Sequence, residues 1–249
     1  MLALRLARRD LRGGIRGLWI VLLCLALGVA VIAAVGSLRA ATDQGLATDG
    51  RRILGGDLEV ESGAQELPAA LRDWLGARAT RLSEVVQMRS MLVAASGERQ
   101  LVELKAVDGA WPLIGEPAID PPLLPNQSMA ALLADHGLLA ERVVLDRLNL
   151  HPGDRVRLGN ATFTVRGVLI SEPDRVAAPL LIGPRVLIAT DALPSTGLVA
   201  PGSMVRYAIR AAIPGSANVE AAVKAAFPGQ GLRIRGPRDA APGVTRFID

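Results

Sequence analysis

Between Arg16 and Arg39 the chain runs for 22 residues, GLWIVLLCLALGVAVIAAVGSL, without a charged side chain. At about 1.5 Å per residue this is roughly 33 Å of helix, enough to cross a hydrocarbon layer of about 30 Å. The run therefore predicts a transmembrane helix over 17–38, with Trp19 at headgroup level. A cleaved signal peptide is the alternative, because small residues occur at Ala33, Ala34 and Ala40. Its apolar core is typically only about 7–15 residues, so the longer run reads as a retained anchor. Cys24 follows Leu23 and lies in mid-run, which does not suit a lipoprotein signal.

The charge distribution gives the anchor a direction. Of 28 basic and 24 acidic residues, five arginines (Arg5, Arg8, Arg9, Arg12, Arg16) and one acid, Asp10, lie in 1–16. The 23 bases and 23 acids after Leu38 cancel, so the formal charge of +4 belongs wholly to the first 16 residues. These five arginines read as a topology signal that keeps Met1 in the cytoplasm and places 40–249 outside it. A neutral outer region with 3% aromatic residues excludes nucleic acid as a partner. One cysteine excludes an internal disulfide framework.

Within the run, Ala26, Ala30 and Ala34 recur at i, i+4 and i+8, a spacing that lets another membrane helix approach closely. An alanine-rich stretch also yields such spacing by chance. Leu4, Ala7, Leu11 and Ile15 share one face of 1–16, with arginines around the rest. That segment reads either as a basic amphipathic helix on the cytoplasmic surface or as an orientation signal alone.

Beyond 40–53, which looks like a helical extension, the hydrophobic period changes. Leu58 and Val60 alternate with Asp57, Glu59 and Glu61, predicting a half-buried strand with a solvated carboxylate face. Three carboxylates could face a metal, but no His or Cys lies near. A helix is expected over 66–79 and a hairpin over 82–95 and 100–107. The Pro-rich stretch 111–127 should be irregular. Helical pattern returns at 128–134 and 138–148, a second hairpin spans 155–158 and 161–170, and strands follow at 185–189 and 204–211. A helix at 218–227 and a strand at 231–235 complete the pattern. The expected class is α+β: one N-terminal transmembrane helix, then a two-lobed extracytoplasmic domain. Its lobes are about 54–115 with 204–249, and about 128–200.

Motifs for chemistry are missing. There is no GxxxxGK[ST], GxSxG or HExxH. His136 and His151 read as surface residues, and Glu172-Pro173-Asp174 has no pocket that would split two carboxyl pKa values. Nothing suggests a cofactor, a metal or an enzyme. The pattern fits a membrane, binding or coupling part.

Several stretches together carry a resemblance: LARRDLRGG, LRAATDQGLATDGRRILGGDLEVES, ERVVLDRLNLHPGDRVRLGNATFTVRGVLISEPDR, LIGPRVLIATDALPSTGLVAPGSMVRY and RDAAPGVTRFID. The chain resembles ABC transporter permeases of the MacB/FtsX/lipoprotein-release type, in their YbbP-like subgroup. The resemblance implies a first membrane helix in the bacterial inner membrane and a MacB-like periplasmic core domain after it. It also implies a separate cytoplasmic ABC ATPase subunit as partner, a periplasmic esterase or cargo-handling partner, and lipid-like or hydrophobic cargo. Such permeases carry further membrane helices, and no second apolar run of that length occurs here, so an N-terminal fragment of a longer permease is expected. The competing reading is a complete single-pass envelope scaffold without an ATPase. A secreted hydrolase with a cleaved leader stands third, because no nucleophile and base can be paired.

Overall fold

The computed structural model describes residues 19–37, 45, 50–63, 65–175, 183–214, 218–237 and 239. They fall into two units, 1–46 and 47–249, each considered by itself. In the first, helix α1 (Trp19–Ser37) is uncharged throughout and is long and apolar enough to cross a membrane. Ala26, Ala30 and Ala34 lie on it at consecutive i+4 positions with exposed side chains. The arginines of 1–16, their amphipathic pattern, and most of 40–49 fall outside the described residues.

The second unit is built on ten strands. They are β1 (Leu58–Ser62), β2 (Arg81–Ala94), β3 (Arg99–Val107), β4 (Ala118–Asp120), β5 (Gly137–Glu141), β6 (Arg155–Leu158), β7 (Ala161–Ser171), β8 (Arg185–Ala189), β9 (Val205–Ala212) and β10 (Arg233–Arg235). Their order is β10-β1-β9-β2-β3-β8-β5-β7-β4, and β6 bonds both β2 and β7. The pairings β2–β3–β8–β5–β7–β6–β2 therefore close a ring of six strands, while β9, β1 and β10 extend from β2 as an open wing. The 14-residue β2 belongs to both parts. The two expected lobes are thus joined within one sheet, through β3–β8 and β2–β6.

Period-2 alternation decides what each face holds. Leu92, Leu104, Val156, Phe163, Val186 and Ile188 point into the ring, where Val144, Leu145 and Leu148 of α4 (Arg142–Leu148) join them. On the wing the same sheet face carries Leu58, Val60, Ile209 and Ala211, covered by Leu71 and Leu75 of α2 (Ala69–Gly76) and Val223 of α6 (Val219–Ala226). The opposite face is covered over Val85, Val107, Leu139 and Leu187 by Trp111, Ile119 and the short helix α3 (Met129–Leu133). Ser128 starts α3 by accepting a hydrogen bond from Ala131 N at 3.1 Å. Helix α5 (Leu193–Thr196) follows β8 through a 3₁₀ turn.

Two expectations of local structure are corrected. Residues 138–148 are not one helix: Gly137–Glu141 is a buried strand between β7 and β8, and the helix begins at Arg142. A short apolar run fits either state, and the available sheet partners decided it. The Pro-rich stretch is irregular except for β4, which borders β7.

Candidate functional site

The second face of the wing contradicts the solvated-carboxylate reading. Asp57, Glu59 and Glu61 are all buried. Strand register explains why. Glu59 stands opposite Arg210 of β9 and Arg235 of β10. Across β9, β2, β3 and β8 the same face presents Arg206, Gln87, Lys105, Glu103 and Arg185. Alternation that looked amphipathic along one strand becomes a transverse belt of opposite charges once the strands pair.

The turn after β7 closes over this belt. Lys105 Nζ donates to Glu172 Oε2 at 2.7 Å and to Asp174 Oδ1 at 2.9 Å. Arg210 Nε donates to Glu59 Oε2 at 2.9 Å, and its Nη1 pairs with Asp174. Arg235 pairs with Glu59 and with Glu61 Oε2, the latter at 2.8 Å; Arg206 Nε lies 2.9 Å from Glu61 Oε1. Arg185 Nε sits 2.8 Å from Glu172 and its Nη1 3.1 Å from Glu103, close pairs without hydrogen-bond alignment. Trp111 roofs Lys105, its ring centroid 4.6 Å from Nζ, and its indole N–H faces Asp174 Oδ2 at 3.4 Å.

The GGDLEV segment positions one side of the belt. A helical turn at 50–54 ends at Gly55, whose φ of +73° favours glycine. A Cβ there would lie 3.1 Å from Asp174 Cβ and 3.2 Å from Arg210 Nη1. Asp57 then accepts a hydrogen bond from Ile213 N at 2.8 Å and pairs with Arg51 at 2.5 Å.

Burial is the largest influence on the ionisable groups. It pushes Lys105 down to about 7, against the pull of Glu172, with Arg210 and Arg185 adding to the push. Burial alone would raise Glu172 and Glu59; Lys105 and Arg185 override it for the first, Arg210 and Arg235 for the second, and both finish below the usual carboxylate value. At Glu103 burial wins over Arg185 and the carboxyl is raised.

A cavity of about 20 Å³ lies within the belt, lined by Glu59, Asp174, Arg185 and Arg210 among others. This is room for one water and not for a substrate. A larger groove of about 390 Å³ runs past Asp108, Asp135, His136 and Thr190. His136 Nε2 lies 3.1 Å from Ser195 Oγ of α5, which ties the turn before β5 to that helix, and Ser195 donates locally to Ala192 O at 2.7 Å. The side chain of His151 is exposed in its turn. Among the described residues no group of His, Cys, Asp and Glu could hold a metal. The belt is thus an electrostatic feature joining strands distant in sequence. Sequence reasoning missed it. Its legible traces were the Glu172-Pro173-Asp174 motif and the complementary alternation of acids in 57–61 with Arg206 and Arg210, and with Arg233 and Arg235.

An apolar N-terminal helix long enough to cross a membrane thus precedes a mixed α/β domain. Residues 18–226 match the MacB-like periplasmic core domain, and the chain belongs to that family of ABC permeases. It is 32% identical over 190 residues to the ABC transporter permease YbbP of Escherichia coli (strain K12), an alignment covering 76% of this chain and 22% of that one. The chain thus spans about a fifth of the curated relative it matches. The fold is also similar to the periplasmic region of MacB from Actinobacillus actinomycetemcomitans, with a TM-score of 0.51, 11% identity, and coverage of 80% of this chain and 95% of that one.

Proposed function

We propose that this chain is the N-terminal part of an ABC permease subunit whose outer domain passes on motion driven by a separate cytoplasmic ATPase. In this reading α1 lies in the bacterial inner membrane, Arg5, Arg8, Arg9, Arg12 and Arg16 hold the N-terminus in the cytoplasm, and 40–249 is periplasmic. Ala26, Ala30 and Ala34 form the face on which a neighbouring membrane helix packs. The cargo is lipid-like or hydrophobic, and a periplasmic esterase is a candidate partner.

The observation that carries this reading is the belt. Movement can be transmitted only through elements that do not yield separately, and the belt ties β10, β1 and β9 to β3, β8 and the turn at 172–174 in one buried network. Burying so many charges costs several kcal/mol per ion before pairing restores it, an arrangement that favours one geometry over neighbouring ones. The test is purification of the chain in mild detergent, expressed from its full genomic reading frame. An ABC ATPase that stays bound, and whose ATP hydrolysis changes when Asp174→Asn breaks the belt, supports the proposal. Consistent absence of any ATPase supports the single-pass scaffold instead.

A further inference from the structure

The belt consumes nearly every charge on its part of the sheet, yet further along the same face, on the outside of the six-strand ring, arginines stand free. Strand pairing sets Val93 opposite both Arg99 and Arg157 and puts Arg89 and Met91 on the same side of β2, with Leu101 opposite Met91. Arg155 lies two residues from Arg157 and shares its face. These four arginines are exposed, as are Met91 and Leu101. None of the four forms an ion pair among the described residues. Of the acids nearby, Glu103, opposite Arg89, lies against Arg185, Asp154 accepts from His151 N at 2.8 Å, and Glu98, beside Arg99, accepts from Ser96 Oγ at 3.4 Å.

We infer that this outer face of β3, β2 and β6 docks on anionic lipid headgroups. Guanidinium groups recognise phosphate oxygens through two parallel N–H donors, and four of them here surround two long, flexible apolar side chains that can enter the headgroup boundary. The charge is local, since the residues after Leu38 are neutral in sum, so the patch is a feature of this face and not of the domain. The inference rests on the reading that α1 holds the chain to a membrane, which keeps a lipid surface permanently available at high effective concentration.

The experiment uses the full chain with Cys24→Ser, an environment-sensitive dye at Met91→Cys, and a control dye at Ala225→Cys on exposed α6. The chain is placed in nanodiscs of phosphatidylcholine alone or mixed with phosphatidylglycerol. The dye at position 91 shifts to shorter wavelength only with phosphatidylglycerol, high salt reverses the shift, and the dye at 225 does not respond. At roughly fivefold per arginine, Arg89→Gln with Arg155→Gln and Arg157→Gln lowers the docked-to-free ratio about a hundredfold. An identical emission in both lipids, an equal response at 225, or a response that survives the triple variant overturns the inference. So does a dye at 91 that is silent toward lipid and responds to an acidic protein. Retention on phosphatidylcholine discs reads the anchor separately: a chain that leaves them contradicts the helix reading, and one that stays without a dye response contradicts the patch.

Discussion

Lys105 and Glu172, 67 residues apart, meet at 2.7 Å in a fully buried ion pair that fastens the turn after β7 to the middle of β3. Removing one member of such a pair leaves an uncompensated buried charge. Lys105→Met should therefore destabilise the outer domain by about 3 to 5 kcal/mol, read from urea unfolding followed by Trp fluorescence. Adding Glu172→Gln to Lys105→Met should cost less than the two changes summed, by about 0.5 to 3 kcal/mol, because both lose the same interaction. Strict additivity would show that the pair is not coupled.

Gly55 and Gly97 both have positive φ, +73° and +89°, but a Cβ at Gly97 meets nothing within 4 Å while one at Gly55 meets Asp174 and Arg210. Gly97→Ala should cost only the backbone penalty, roughly 1 to 2 kcal/mol. Gly55→Ala should exceed it by about 1 to 3 kcal/mol, the cost of displacing the belt. Equal losses in thermal unfolding would place the role of Gly55 in its backbone alone.

The belt also gives the stability a pH signature. Glu59 and Glu172 are held below the ordinary glutamate value of 4.5 in the folded chain, so their contribution is full above about 4.5 and is lost as acid protonates them. Glu103, raised by burial, works in the opposite sense. Lys105 falls from 10.5 to about 7, so between these values the unfolded chain holds a proton that the folded one has shed, and stability rises with pH. Thermal midpoints should fall below about pH 4.5 and climb above pH 7, and Lys105→Met should flatten the climb. A midpoint that falls through the alkaline range in the unsubstituted chain would contradict this account of Lys105.

How much of this was legible in the sequence depends on how local the cause was. The apolar helix α1, the two hairpins and helices α2 and α6 followed from run length, periodicity and turn residues, because neighbours in sequence determine them. Strand β5 was not legible, since GLLAE is too short to show a period and its state depends on β7 and β8. The burial of Glu59 was not legible either. Its partners Arg210 and Arg235 lie 151 and 176 residues away, and only pairing of β1 with both β9 and β10 brings them into reach. Glu172 and Asp174 were visible as a motif, but the lysine between them comes from a different hairpin.

On the proposed reading the five N-terminal arginines set the topology of the chain. Replacing Arg5, Arg8, Arg9, Arg12 and Arg16 by Gln should reduce or invert the fraction of chains with 40–249 outside, scored by protease protection in spheroplasts. Unchanged protection would remove the arginines from the topology account.

On the proposed reading the belt makes the wing and the ring yield together, and amide hydrogen exchange of the full chain in nanodiscs tests this most directly. If the claim holds, Asp174→Asn speeds exchange in β1 and β9 and in β3 and β8 by a similar factor, although residue 174 belongs to none of these strands. Faster exchange confined to the turn at 172–174, with the four strands unchanged, would contradict it.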